Sequence, residues 1–113
     1  DRIEFIDPGQ EIFPGIMALA SYGHTPGHMS FELQVDSERV LVCGDAIGNH
    51  HVAFEHPDWA SGSDQIADQA IAARSGLLDR LAHENMTLVG FHLPGGGIGR
   101  VEKRDTFYRF VQD

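Results

Sequence analysis

Positive charge and sulfur are both scarce in this sequence. Of its 113 residues only 8 are Lys or Arg, against 17 Asp or Glu, so the chain carries about nine net negative charges at neutral pH. Such a balance repels phosphate backbones. The nearest approach to a basic patch, Arg100, Lys103 and Arg104, is interrupted by Glu102 and Asp105, so no nucleic-acid partner is expected. The single cysteine, Cys43, excludes an internal disulfide and any cysteine-based zinc finger. It closes the apolar run Val40 to Cys43 and reads as an inert core thiol. No apolar run approaches the ~20 residues of a membrane span, and no basic-then-apolar amino terminus reads as a signal peptide. The covered segment is therefore expected to be soluble, with a cytoplasmic location favoured and no membrane partner. A Gly-x-Ser-x-Gly elbow is also lacking, which leaves serine hydrolysis without support. The glycine run from Gly95 to Gly99 fits neither Gly-x-Gly-x-x-Gly nor a Walker pattern, which excludes a nucleotide cradle.

What the chain does have is 42% hydrophobic residues, enough for one globular domain with a modest core. It also has seven His and 13 Gly. The alternating stretch Arg2 to Ile6 reads as a strand followed by a turn at Asp7-Pro8-Gly9-Gln10. Short strands follow around Ile12, Phe13 and Ile16 to Ala20, broken at Pro14-Gly15. Met29 to Val35 alternates with period two, and Val40 to Cys43 has the continuous apolar character of a strand buried on both faces. From an N-cap at Ser63 or Asp64, the positions Ile66, Ala70, Ala73, Leu77, Leu78 and Leu81 recur at helical spacing, predicting one helix that ends near His83 to Asn85. His83 at that end faces the negative pole of the helix and carries no catalytic role. Thr87 to Phe91 returns to strand, and Arg100-Val101 with Phe107 to Val111 closes the chain as a hairpin. The class is α/β.

Three of these strands end in a side chain competent to bind metal. Ala18 to Ala20 leads into Gly23-His24-Thr25-Pro26-Gly27-His28. Val40 to Cys43 leads into Gly44-Asp45, and Leu88 to Phe91 leads into His92-Leu93-Pro94. Strand ends are where a rigid scaffold presents ligands. Pro26-Gly27 suits a type II turn that stiffens the His24 loop, and Gly44 permits a close approach or an unusual dihedral before Asp45. Two imidazoles and a carboxylate suit Zn, Mn, Fe or Co, and the carboxylate has two oxygens with which to bridge a metal pair.

In their order and spacing, Gly23 to His28, Gly44-Asp45 and Phe91 to Pro94 with Gly97 to Val101 resemble the second half of the metallo-β-lactamase superfamily. The stretch from Val89 to Val111 is most similar to its methyl parathion hydrolase-like branch. The resemblance implies one sheet-plus-helix half of an αββα sandwich, spanning residues 1–113. It also implies a binuclear hydrolase that attacks an ester-like bond (a lactone, phosphotriester or β-lactam) through a metal-bound hydroxide. His24, Asp45 and His92 would be metal ligands, with Asp45 bridging and so catalytic. His28 would support them, while His50, His51 and Trp59 would lie near the pocket.

The family's His-x-His-x-Asp-His signature is absent, because no two of the seven His are two positions apart. Gly95-Gly96 also replaces the Phe-Pro usual in the nearest relatives. The chain is therefore expected to be the C-terminal part of a parent enzyme that takes a small-molecule substrate and two divalent metals, zinc being the expected ion. Alone it would hold at most one metal, weakly, and be inactive. The alternative is a non-catalytic fragment or degenerate domain that folds by association, with the missing N-terminal half or with a second copy in a dimer.

Overall fold

The computed structural model describes residues 2–112. Seven strands form one sheet in sequence order: β1 (Glu11–Phe13), β2 (Ile16–Ala20), β3 (Met29–Val35), β4 (Glu38–Val42), β5 (Thr87–Val89), β6 (Ile98–Arg104) and β7 (Phe107–Val111). Neighbours pair antiparallel except β4 with β5, which are parallel. A parallel pair needs a long crossover. The segment between β4 and β5 supplies it with a 3-10 turn at Gly44–Ala46, a short helix α1 (Val52–Glu55) and the long helix α2 (Ala67–Glu84). Strand β6 is shared. Its first two residues pair with β5 and the remainder with β7.

The core lies between the helices and one sheet face. Leu41, Leu88 and Val101 from the sheet meet Leu77, Leu78 and Leu81 of α2, Ala53 and Phe54 of α1, and Ile47 and Met86 from the connections. Phe54 packs edge-on against Phe110 of β7, with ring centroids 5.9 Å apart. The buried face of α2 runs Ala70, Arg74, Leu77, Leu78 and Leu81, so the helical period passes through one charged residue. Asn85, in the left-handed conformation, ends the helix, and its N–H donates to the Leu81 carbonyl.

Cross-strand partners share a sheet face, so the pairing Ala18, Phe31, Val42, Val89 and Ile98 defines the face opposite the helices. Ile16, Leu33 and Val40 lie on it as well. Phe31, Leu33, Val40, Val42 and Val89 are only half-buried there, and Ile98 is 56% exposed. Strand β4 is thus sealed on the Leu41 and Cys43 side but not on the Val40 and Val42 side, contrary to the two-faced burial expected of an apolar run.

Several local expectations need correction. Arg2 to Ile6 forms no strand: Ile3 and Phe5 are exposed and make no sheet partner. The cap of α2 is Ile66, with no side-chain cap, because Asp64 is engaged elsewhere. Gly27 lacks the positive φ of a type II turn. The turn there closes with the His28 N–H donating to the Thr25 carbonyl at 3.2 Å. Among the described residues no helix is long and apolar enough to cross a membrane.

Candidate metal centre

Three loops at one end of the sheet bring His24, Asp45 and His92 together, and the first two are shaped by glycines that leave no room for a side chain. Gly23 has φ +134°, and a Cβ there would lie 2.0 Å from the Ala70 backbone nitrogen. The loop therefore lies flat on the first turn of α2, where the Ile66 N–H donates to the Gly23 carbonyl and the Gln65 N–H to that of His24. Gly44, at φ +55°, lets the chain pass His28, whose Nε2 would sit 2.8 Å from an added Cβ. In the third loop Leu93 is buried and His92 is left exposed.

His28 fixes Asp45 from behind. Its Nε2 accepts the Asp45 backbone N–H at 3.0 Å, so the ring proton is assigned to Nδ1, which faces the Ser21 hydroxyl at 2.7 Å and carbonyl at 3.1 Å. Burial lowers the His28 pKa below the usual imidazole value, partly offset by the bond to Ser21, so the ring is held neutral. Both ring nitrogens of His28 are thus engaged within the protein, one of them on the Asp45 backbone. Ser21 is itself tied to buried Ser30, whose hydroxyl donates to it at 2.8 Å.

The two oxygens of Asp45 face different imidazoles. His92 Nε2 lies 2.7 Å from Oδ1, a direct hydrogen bond, and His24 Nε2 lies 3.5 Å from Oδ2. Behind His24, Nδ1 lies 3.2 Å from Asp64 Oδ1. A carboxylate accepts here, so a proton on Nδ1 goes to Asp64, and Nε2 faces Asp45 Oδ2 at 3.5 Å. With Nε2 unprotonated two acceptors would face each other, and either a proton or a metal ion between them satisfies both. A tetrahedral zinc, with bonds of about 2.0 to 2.2 Å, sets adjacent nitrogen and oxygen ligands roughly 3.3 Å apart. The donors thus fit a metal on the His24 side, and on the His92 side a metal would displace the hydrogen-bonding proton. Among the described residues no three His, Cys, Asp or Glu side chains are grouped closely enough to enclose an ion. The donors are instead strung in a row with the carboxylate in the middle.

Asp64, whose place in the sequence suits an N-cap, and Arg74, within the helix, form a buried ion pair beside the site. Both side chains are only 5% exposed and pair at 3.3 Å. The Arg74 guanidinium also donates to the carbonyls of Pro57 at 3.1 Å and Trp59 at 2.8 Å. The signal was available: a charged residue on the apolar face of a helix, with a carboxylate ten residues before it.

A cavity of about 240 Å³ opens beside Asp45, walled by Asn49, Val52, Ala53, Trp59 and Asp64. A larger hollow of about 660 Å³ lies beyond α1 between Glu55, Pro57 and Phe107 and touches none of the three donors, so the smaller one is the relevant space. Trp59 stands on the smaller cavity's wall, stacked on His56 at 3.9 Å and 53% exposed. The His50 and His51 rings lie against each other, tilted by 42° with centroids 3.7 Å apart, and neither lines that cavity, although Asn49 and Val52 on either side of them do. Burial raises the Cys43 pKa to about 11, consistent with an inert thiol.

No protein-family model matches the chain, and no curated protein matches it. Solved structures do. AbOPH, a hydrolase of the β-lactamase superfamily, is 30% identical over 89% of this chain and 35% of its own, with a TM-score of 0.85. AidC, a dizinc quorum-quenching lactonase solved with the product N-hexanoyl-L-homoserine, is 25% identical over 97% of this chain and 37% of its own, with a TM-score of 0.90. A probable metal-dependent hydrolase from Staphylococcus aureus, 17% identical with a TM-score of 0.74, shares the fold. The chain therefore has the metallo-β-lactamase-like α/β architecture, and it spans little more than a third of the length of these structures.

Proposed function

We propose that the chain is the C-terminal, sheet-plus-helix half of a metallo-β-lactamase superfamily hydrolase, of the methyl parathion hydrolase-like branch, which cleaves an ester-like bond in a small molecule. The observation that carries this reading is the Asp45 carboxylate, with one oxygen turned to His24 Nε2 and the other to His92 Nε2. In that arrangement His24, Asp45 and His92 would hold divalent ions, zinc being the expected one, with an Asp45 oxygen available on each side. When bound, such a pair lowers the pKa of a water towards neutrality and polarises the electrophile's oxygen. The chain's own residues supply the rest. Asp45 is fixed by its backbone bond to His28, His92 is presented by the buried anchor Leu93, and the cavity walled by Val52, Ala53 and Trp59 offers an apolar side to the substrate.

Lactones lead among the ester-like substrates because AidC, matched over nearly the whole chain, is a lactonase; phosphotriesters and β-lactams share the chemistry. Three donors cannot complete two four-coordinate sites, so the remaining ligands come from a part of the parent protein outside this chain. The half-buried apolar face of Phe31, Leu33, Val42 and Val89 is the surface on which that second sheet would pack.

Metal content and lactone hydrolysis test the proposal together. The intact parent protein should hold two zinc ions and open an N-acyl-homoserine lactone, while the 113-residue chain alone should hold fewer than one ion. His92→Ala in the intact protein should remove most of the activity. An unchanged rate would refute the ligand assignment, and two tightly held ions on the isolated chain would refute the half-protein reading.

A further inference from the structure

We infer that Asp64, clamped by Arg74, is a positioning residue that sets the tautomer and aim of His24. The inference rests on the metal-centre reading for its purpose, but its geometry stands apart from it. Asp64 lies 40 residues from His24 in sequence and reaches it through the segment that precedes α2. One carboxylate oxygen, Oδ1, takes the His24 Nδ1 proton at 3.2 Å, and the other, Oδ2, takes an Arg74 N–H at 3.3 Å. The carboxylate is thus used at both ends and cannot turn without losing a partner.

Arg74 cannot drift either. Two further N–H groups donate to the Pro57 and Trp59 carbonyls, and its stem belongs to the buried face of α2. A planar guanidinium reaches three acceptors at fixed angles, which a lysine ammonium on its single stem does not reproduce. The chain of contacts therefore runs from a rigid helix through Arg74 and Asp64 to His24 Nδ1. The consequence appears on the far side of the ring: when the ring carries a single proton, that proton is held on Nδ1 and Nε2 is left as the lone pair directed at Asp45 Oδ2, 3.5 Å away. Without Asp64 either nitrogen could carry the proton, and a ring protonated at Nε2 would satisfy Asp45 directly and have no lone pair for a metal. A carboxylate behind an imidazole ligand is a recurring device, and its loss typically weakens metal binding by about 10- to 100-fold. Its place here is conspicuous because a buried ion pair is a costly support unless its charges are needed.

The test is imidazole ¹⁵N NMR of the metal-free intact protein, with cobalt(II) titration as the second arm. In the unsubstituted protein His24, assigned by its loss in His24→Asn, should show a protonated Nδ1 and a bare Nε2; the opposite tautomer overturns the inference without any variant having to fold. Asp64→Asn must turn an NH₂ group towards either Arg74 or His24, so it should scramble the tautomer and weaken cobalt(II) binding by about 10- to 100-fold. Arg74→Lys should show a smaller loss in the same direction. Cobalt affinity within twofold of the unsubstituted protein in Asp64→Asn, with the tautomer unchanged, also overturns the inference. If instead His24→Asn leaves cobalt binding intact, the metal-centre reading fails, and the tautomer measurement still decides whether Asp64 directs His24.

Discussion

Replacing Arg74 with Met probes the buried ion pair with Asp64. The substitution keeps a stem of similar length in the core and removes only the guanidinium. Left behind is the Asp64 carboxylate, 5% exposed, with His24 Nδ1 as its one remaining partner. Stranding one member of a buried pair costs about 3 to 5 kcal/mol. Two carbonyls also lose a donor: that of Trp59 belongs to an exposed residue, where water replaces the bond, whereas that of Pro57 belongs to a buried residue and adds to the cost. An expected loss of about 4 kcal/mol is a large part of the 5 to 15 kcal/mol typical of a domain. With a urea slope of roughly 1.5 kcal/mol per molar, the unfolding midpoint should fall by roughly 2 to 3 M. The double variant Arg74→Met with Asp64→Leu removes both charges and should recover most of that loss, because an apolar pair avoids the desolvation penalty. A single-variant shift under about 0.5 M, or a double variant no better than the single, would show that the pair does not brace the fold as argued.

Other perturbations follow from the same geometry. Gly23→Ala forces a Cβ against the Ala70 backbone at φ +134°, and should cost about 2 to 5 kcal/mol in thermal or urea unfolding and loosen the His24 loop from α2. A wild-type midpoint would mean that the loop has room to move. Cys43, buried and with its pKa raised to about 11, should resist iodoacetamide at pH 8 in the native state and react fully in denaturant; rapid native alkylation contradicts its burial. The Tyr108 pKa is raised by burial and by its bond to Asp79, so the folded state keeps the phenolic proton longer than the unfolded one. That contribution to stability is full below about pH 10 and is lost as pH rises beyond it. Tyr108→Phe should flatten part of the alkaline decline, Lys103 contributing the remainder because its own pKa is raised, chiefly by its hydrogen bond to Asp79. An unchanged pH profile would refute this.

The alternating strand that has neighbours on both sides was legible from the order of its residues. Met29 to Val35 matches β3 residue for residue, because a half-covered strand must show period two. The end of α2 was equally plain, with Asn85 free to adopt the left-handed cap. The start of α2 was not: Asp64 has the chemistry of a cap, but its carboxylate is held by His24 and Arg74, so the helix begins three residues later without one. Helix α1, four residues long, carries too few positions to display any period. Arg2 to Ile6 alternates as a strand does, yet alternation gives no strand without a neighbouring edge to pair with.

For the site, sequence determined which side chains could serve and that each would stand at a strand end: His24, Asp45 and His92, with glycines at the bends. The absence of any His-x-His pair is legible there as well. Tertiary structure alone decided that the three donors meet, with Asp45 between two imidazoles, that His28 is spent on the Asp45 backbone, and that His50 and His51 lie away from the cavity. It also decided the parts played by Asp64 and Arg74. The physical reason is that a ligand's identity is a local property, written in one residue and its turn. The tautomer and direction of an imidazole depend on a partner 40 residues away, and only the folded packing of α2 against the His24 loop brings that partner within a hydrogen bond.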